Sequence, residues 1–157
     1  MSTPAQIRHA RIDEAAILTE LTMRSKAHWQ YEDAFLADAR QDLTFQPEKF
    51  LPDFLVYVLE LDSELLGFCS LIPQQEAKIE LHDLFVEPQY IGKGYGKQLW
   101  DYAVNFARES GFQTLVLTAD PNAEPFYARQ GAVRIGLKAS SVRPDRSLPL
   151  MEYRIPD

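Results

Sequence analysis

The chain has 157 residues, 46% of them hydrophobic and 25% charged, which suits one compact domain over residues 1–157 and excludes disordered and fibrous classes. A formal net charge of −7 disfavours nucleic acid as a partner, because neutralising phosphates needs a basic surface, and favours cationic ligands such as amines. No stretch approaches the ~20 apolar residues needed to span a bilayer, and Met1–Arg8 lacks the apolar core of a secretory leader, so a cytoplasmic protein without a membrane partner is expected. Cys69 is the one cysteine. An intrachain disulfide is therefore ruled out, and in the apolar run Leu66-Gly67-Phe68-Cys69 the residue reads as a buried small hydrophobe rather than a nucleophile.

In chain order, Ile7 to Ala10 reads as a short first strand. Asp13 is placed to cap a helix with Ile17, Leu18 and Leu21 on one face. The segment Lys26 to Tyr31 breaks that pattern, and a second helix carrying Phe35, Leu36 and Ala39 runs to about Asp42. Phe54 to Leu59 is β-branched and aromatic, hence a strand; Asp62-Ser63-Glu64 turns the chain, and Leu65 to Ile72 returns as its hairpin partner. Gly67 inside that run marks a bulge or a close backbone approach. Ile79 to Val86 is a third consecutive strand. Strict alternation puts Ile79, Leu81, Asp83 and Phe85 on one face, and Glu80, His82, Leu84 and Val86 on the other. Three ionisable groups in a central strand are costly unless paired or working; the alternative is an edge strand with a wet face. A helix follows with Leu99, Trp100, Ala103, Phe106 and Ala107 at helical spacing, closed by Gly111. Gln113 to Thr118 is the next strand, Asp120-Pro121-Asn122 opens a short helix that Gly131 ends, and Ala132–Leu137 and Leu148–Ile155 are the last two strands. Ser140 to Ser147, with Pro144, is the loosest stretch.

The segment Gln89-Tyr90-Ile91-Gly92-Lys93-Gly94-Tyr95-Gly96-Lys97 lies between a strand and an amphipathic helix. Glycines let backbone come close to a ligand, and the unpaired N–H groups at a helix start attract phosphate oxygens. Two common phosphate loops fail on spacing. A P-loop needs Ser or Thr where Gln98 stands and glycine where Ile91 stands; a dinucleotide fingerprint needs glycine where Lys97 stands.

At these residues the sequence resembles the GNAT acetyltransferases. Gln89-Tyr90-Ile91-Gly92-Lys93-Gly94 matches their pyrophosphate-binding motif of Gln or Arg, two residues, Gly, one residue, then Gly or Ala. Leu84-Phe85-Val86-Glu87-Pro88 before it and Gly96-Lys97-Gln98-Leu99 after it match as well. Phe126-Tyr127-Ala128-Arg129-Gln130-Gly131-Ala132 looks like the family's second cofactor segment, and Ile7 to Ala15 like the way these domains begin. The resemblance implies an α/β (α+β) fold: a mixed, mostly antiparallel, twisted sheet splayed after the fourth strand and flanked by helices. Acetyl-coenzyme A as cosubstrate would lie in the split. Its pantetheine arm would pair with the backbone of Leu84, Phe85 and Val86, and its pyrophosphate would sit on the amides from Ile91 to Lys97, with Gln89, Lys93, Tyr95, Phe126 and Arg129 beside it. Many members have Asn seven residues before the tyrosine. Here Asp120 stands there and Asn122 two residues later, which leaves open which of the two touches the cofactor.

The implied reaction is transfer of acetyl to a primary amine, borne by a small molecule or a peptide. The amine must lose a proton, the carbonyl must be polarised, and the departing thiolate benefits from a proton donor. Tyr127 matches the family's tyrosine that protonates the sulfur. Glu80 and His82 are the candidate bases, or else polar lining of the cleft. Trp29 and Tyr31 either wall the acceptor pocket, where aromatic faces suit a cation, or simply pack. His9 and His28 have no partner pattern, and no metal-ligand cluster is visible. The family likeness makes a homodimer plausible. The competing class is a non-catalytic coenzyme-A-binding sensor or partner-binding module, which would need neither an acid nor a base.

Overall fold

A computed structural model describes residues 4–29, 31–45 and 52–157. Met1–Thr3, part of the segment read above for a secretory leader, and Gln30, in the expected break between the first two helices, lie outside the described residues. The fold is a mixed α/β domain built on one open, mostly antiparallel sheet flanked by helices. Strands β1 (Gln6–His9), β2 (Leu55–Leu61), β3 (Glu64–Pro73) and β4 (Lys78–Val86) form an antiparallel meander. Helices α1 (Ala15–Ala27) and α2 (Asp33–Leu43) lie between β1 and β2. Helix α3 (Tyr95–Glu109) is the crossover that lets β5 (Thr114–Thr118) run parallel to β4, as a parallel pair requires. After α4 (Glu124–Arg129), β6 (Val133–Ala139) and β7 (Ser147–Arg154) complete the order β1-β2-β3-β4-β5-β7-β6.

The sheet separates two cores. On one side Leu99, Trp100, Ala103 and Ala107 of α3 pack on Tyr57, Leu66, Cys69, Ile79, Leu81 and Leu115. On the other, Leu18 and Leu21 of α1 and Phe45 cover Val56, Val58 and Phe68. Ile17, expected with Leu18 and Leu21, faces solvent at 51% exposure; the buried stripe of α1 continues instead through Thr22 and Ser25, four and seven residues after Leu18. Nor does Asp13 cap α1. A 3₁₀ turn over Ile12–Glu14 precedes the helix, and the Glu14 carboxylate accepts the Arg11 N–H at 2.7 Å.

The hairpin between β2 and β3 turns through Asp62 and Ser63 at φ 50° and 69°, the paired left-handed conformation that matches strand twist. Gly67 sits where the expected close approach occurs: a Cβ there would stand 2.6 Å from the Phe85 carbonyl oxygen. In β4 the register steps from Ser70↔Asp83 to Leu71↔Leu81, so His82 is the unpaired residue of a β-bulge. The bulge overturns the expected alternation. Ile79 and Leu81 share the α3-side core with Leu84 and Val86, while Phe85 crosses to the opposite core and meets the Phe68 ring at 5.8 Å.

Candidate active site

Pairing between β4 and β5 stops at Glu80↔Val116. Beyond it the two strands part, and the last six residues of β4 have no strand partner on that side. A cavity of about 830 Å³ fills the fork, within the usual range of ligand pockets. One end is the turn before α3. Gly92 and Gly94 have φ of 86° and 89°, a region costly for residues with a Cβ, and nothing lies within 4 Å of where a Cβ would stand on either. The glycines therefore serve backbone shape and leave the space above the turn open. The Gln98 N–H bonds the Gly94 carbonyl at 3.1 Å; the amides just before it point out of the helix start without an intrahelical acceptor. This cradle fits a pyrophosphate.

Leu84, Phe85, Val86, Ile91, Gly92, Gly94, Gly96 and Lys97 line the cavity, as do Asn122, Phe126 and Arg129 across the fork. Gln89, Lys93 and Tyr95 do not. Gln89 lies in a 3₁₀ turn over Pro88–Tyr90, the Lys93 ammonium lies 5.6 Å from the Tyr90 ring centre, and Tyr95 meets the same ring edge-on at 6.0 Å. Lys97 is bonded to Asp101 at 2.7 Å, one helical turn on.

Tyr127 projects from α4 into the cleft and packs against Trp100 and Phe126 at 5.8 and 5.2 Å. Burial, seconded by the nearby Asp83, pushes its phenol well up from the ordinary value, so the hydroxyl keeps its proton at neutral pH. Glu80 and His82 come together at the bulge, with His82 Nδ1 2.7 Å from Glu80 Oε2. That contact, against burial, holds the Glu80 carboxyl below its usual range. Gln74 donates to its other oxygen at 3.0 Å. An ionised Glu80 selects the tautomer with the proton on Nδ1, which makes Nε2 the basic nitrogen of His82. Cys69 is fully buried, and burial pushes its thiol up to about 12, which leaves it no nucleophilic role.

Trp29 lines the cavity at 40% exposure. Tyr31 does not line it and serves instead as a clasp. Its hydroxyl donates to Asp120 Oδ2 at 2.6 Å and accepts from Arg146 Nη2 at 2.7 Å and Asn122 Nδ2 at 3.1 Å. Lys26 adds an ion pair to Asp120 at 2.9 Å, and the Asn122 backbone N–H bonds Asp120 Oδ1 at 2.8 Å. Asp120 is thus occupied, whereas Asn122 retains its side-chain oxygen. Burial of Asp120 is outweighed by Lys26 and these hydrogen bonds, and its carboxyl lies below the ordinary value. Lys26, Asp83 and Arg146 line the cleft too but carry no local motif. The one sequence signal was Asp83 itself, an ionisable residue in an apolar strand; its partner, the Ser70 hydroxyl at 2.6 Å, comes from the neighbouring strand. Among the described residues no group of three or more His, Cys, Asp or Glu side chains is arranged to hold a metal ion, and no helix is long and apolar enough to cross a membrane.

A sheet that forks beside a glycine-lined helix start is the architecture of a coenzyme-A-dependent acyltransferase. Over residues 18–132 the chain matches the sequence model of the acetyltransferase (GNAT) family, and it belongs to that family, whose cosubstrate is acetyl-coenzyme A. It is 33% identical over 67 residues to an uncharacterised ycf52-like N-acetyltransferase of Prochlorococcus marinus, covering 43% of this chain and 37% of that one. It is 32% identical over 84 residues to an uncharacterised N-acetyltransferase of Archaeoglobus fulgidus, covering 48% and 57%. The chain thus spans well under two thirds of these relatives. In fold it is similar to the PaiA N-acetyltransferase of Thermoplasma acidophilum, solved in complex with coenzyme A, with a TM-score of 0.76 and 23% identity over 97% of this chain and 99% of that one.

Proposed function

We propose that the protein transfers the acetyl group of acetyl-coenzyme A to a primary amine by direct attack. The observation that carries this reading is the continuity of one cleft, from the amide cradle at the start of α3, along the open edge of β4, to Tyr127 on one wall and the Glu80–His82 pair on the other. A module that only binds coenzyme A needs the first two features and not the last. The bound cosubstrate supplies an activated acetyl thioester. The open edge of Leu84, Phe85 and Val86 offers backbone groups to an amide-bearing arm as an added strand would, and Asn122 Oδ1 accepts an amide N–H from the opposite wall. The amides from Ile91 to Lys97 receive the pyrophosphate. His82, held by Glu80, removes the ammonium proton at Nε2 so that the nitrogen lone pair can form the new C–N bond. As the C–S bond breaks, Tyr127, protonated near neutral pH, gives its proton to the departing sulfur, and the surplus proton on the new amide nitrogen leaves to solvent, from which Tyr127 is reprotonated. Trp29 forms part of the acceptor wall.

The test is a pair of conservative variants. Tyr127→Phe and His82→Gln should each lower kcat by about 10²- to 10⁴-fold, with coenzyme A affinity within a few-fold of the parent by calorimetry. Unchanged turnover in either variant removes that residue from the chemistry.

A further inference from the structure

Beyond Glu80 and His82, α1, α2 and the loop joining β6 to β7 wall the acceptor half of the cleft, and its charges are unevenly spent. The carboxylates are engaged: Glu80 with His82, Asp83 with the Ser70 hydroxyl, and Asp120 with Lys26 and Tyr31. Of the cations, Lys26 is held by Asp120, and Arg143, on the β6–β7 loop but not lining the cavity, by Asp38. Arg146 differs. Among the described residues it has no carboxylate within ion-pair distance, and its guanidinium's one hydrogen bond is the 2.7 Å donation to the Tyr31 hydroxyl. Its guanidinium lies 5.0 Å from the Tyr31 ring centre and 5.2 Å from that of Phe35, two rings that are themselves stacked at 4.5 Å. It is half-buried and lines the cavity. A guanidinium has five N–H donors, so most remain for a ligand. Lys138, on β6, also lines the cavity; its charge acts on the Glu80 carboxylate from beyond ion-pair distance. Arg129 lies on α4, with the cofactor-binding residues.

We propose that the acceptor carries a carboxylate beside the amine that is acetylated, and that Arg146, seconded by Lys138, binds that carboxylate. This rests on the acetyltransferase reading of the same cleft. A planar guanidinium pairs with a carboxylate through two parallel hydrogen bonds. Here the aromatic rings and Tyr31 hold it in place before any ligand arrives, which reduces the entropy lost on binding. The net charge of −7 points toward cationic acceptors, but a whole-molecule field governs encounter, whereas the group in contact sets selectivity. The acceptor class is therefore an amino acid, or a peptide whose amine lies close to its carboxylate.

The test separates binding from turnover. Protein saturated with coenzyme A is titrated calorimetrically with N-acetyl amino acids bearing neutral side chains, each against its carboxamide. The acid should bind at least about tenfold tighter than the amide. Arg146→Gln should abolish that difference while coenzyme A affinity stays within a few-fold and the melting temperature falls by a few degrees at most, from loss of the Tyr31 contact, and Lys138→Gln should reduce it. Acid and amide binding alike, or neither binding, overturns the proposal. Arg146-dependent binding of the acid without thiol release from any amino acid or peptide would leave Arg146 as a carboxylate site but remove the acetyltransferase reading, and with it the assignment of that carboxylate to an acceptor. Equal turnover of amino acids and their amides would do the reverse.

Discussion

Glu14 illustrates how much one buried carboxylate can hold. It is 4% exposed and takes two hydrogen bonds from Arg8, at 3.0 and 2.8 Å, while Arg8 also reaches Glu60 on β2 at 2.9 Å. The Arg8 bonds keep the Glu14 carboxyl below its ordinary range although burial pushes it up. In the unfolded chain the group returns to about 4.3, so below that pH the unfolded state binds the extra proton. The stabilisation is complete above the unfolded value and is lost as pH falls through the lower folded value. Glu14→Gln should therefore cost about 2–3 kcal/mol at pH 7, measured by urea unfolding, with a smaller loss below pH 4. An equal cost at both pH values would show that the pair's charge plays no part. The sequence displayed Glu14 and Arg8 but not their meeting, because a capping residue was sought at Asp13, where the chain instead makes a 3₁₀ turn.

The elements that shape the cleft differ in how plainly they were written. The turn from β4 into α3 was legible because its function is carried by backbone: glycines at 92 and 94 and the start of an amphipathic helix are local facts. Gly94→Ala should cost about 1–2 kcal/mol, since the position is left-handed at φ 89° with no neighbour for the new methyl to strike. A melting temperature lower by about 2–8 °C and weaker coenzyme A binding are expected, and an unchanged melting temperature would mean that the turn relaxes without cost. β4 was legible as a strand but not as a bulged one. An extra residue shows only in the pairing register, and at His82 it reverses which side chains face which core. Strict alternation therefore placed Phe85 with Ile79, and missed that Leu84 and Val86 belong with Ile79 and Leu81.

At the scale of the whole molecule, what escaped the sequence is what joins distant segments. Tyr31, Asp120 and Arg146 meet at one hydroxyl, although 115 residues separate the first from the last. No spacing rule reports such a meeting, and Tyr31 accordingly serves as a clasp between the connection ahead of α2, the turn before α4 and the β6–β7 loop, while Trp29 alone of the two expected aromatics lines the cavity. The forked sheet, by contrast, was expected from the family likeness alone; the parallel pairing of β5 with β4 is visible only in the structure. The central claim is that this cleft transfers an acetyl group rather than merely holding coenzyme A. Its most direct test is thiol release from acetyl-coenzyme A by the purified protein against amino acids, short peptides, polyamines and aminoglycosides, with the acceptor weighed by mass spectrometry. Free thiol appearing together with one added acetyl group on an amine, faster with acceptors that carry a carboxylate, is the predicted result. Tight coenzyme A binding with no acetylated amine anywhere in the panel would contradict the claim and make the protein a non-catalytic coenzyme-A-binding module.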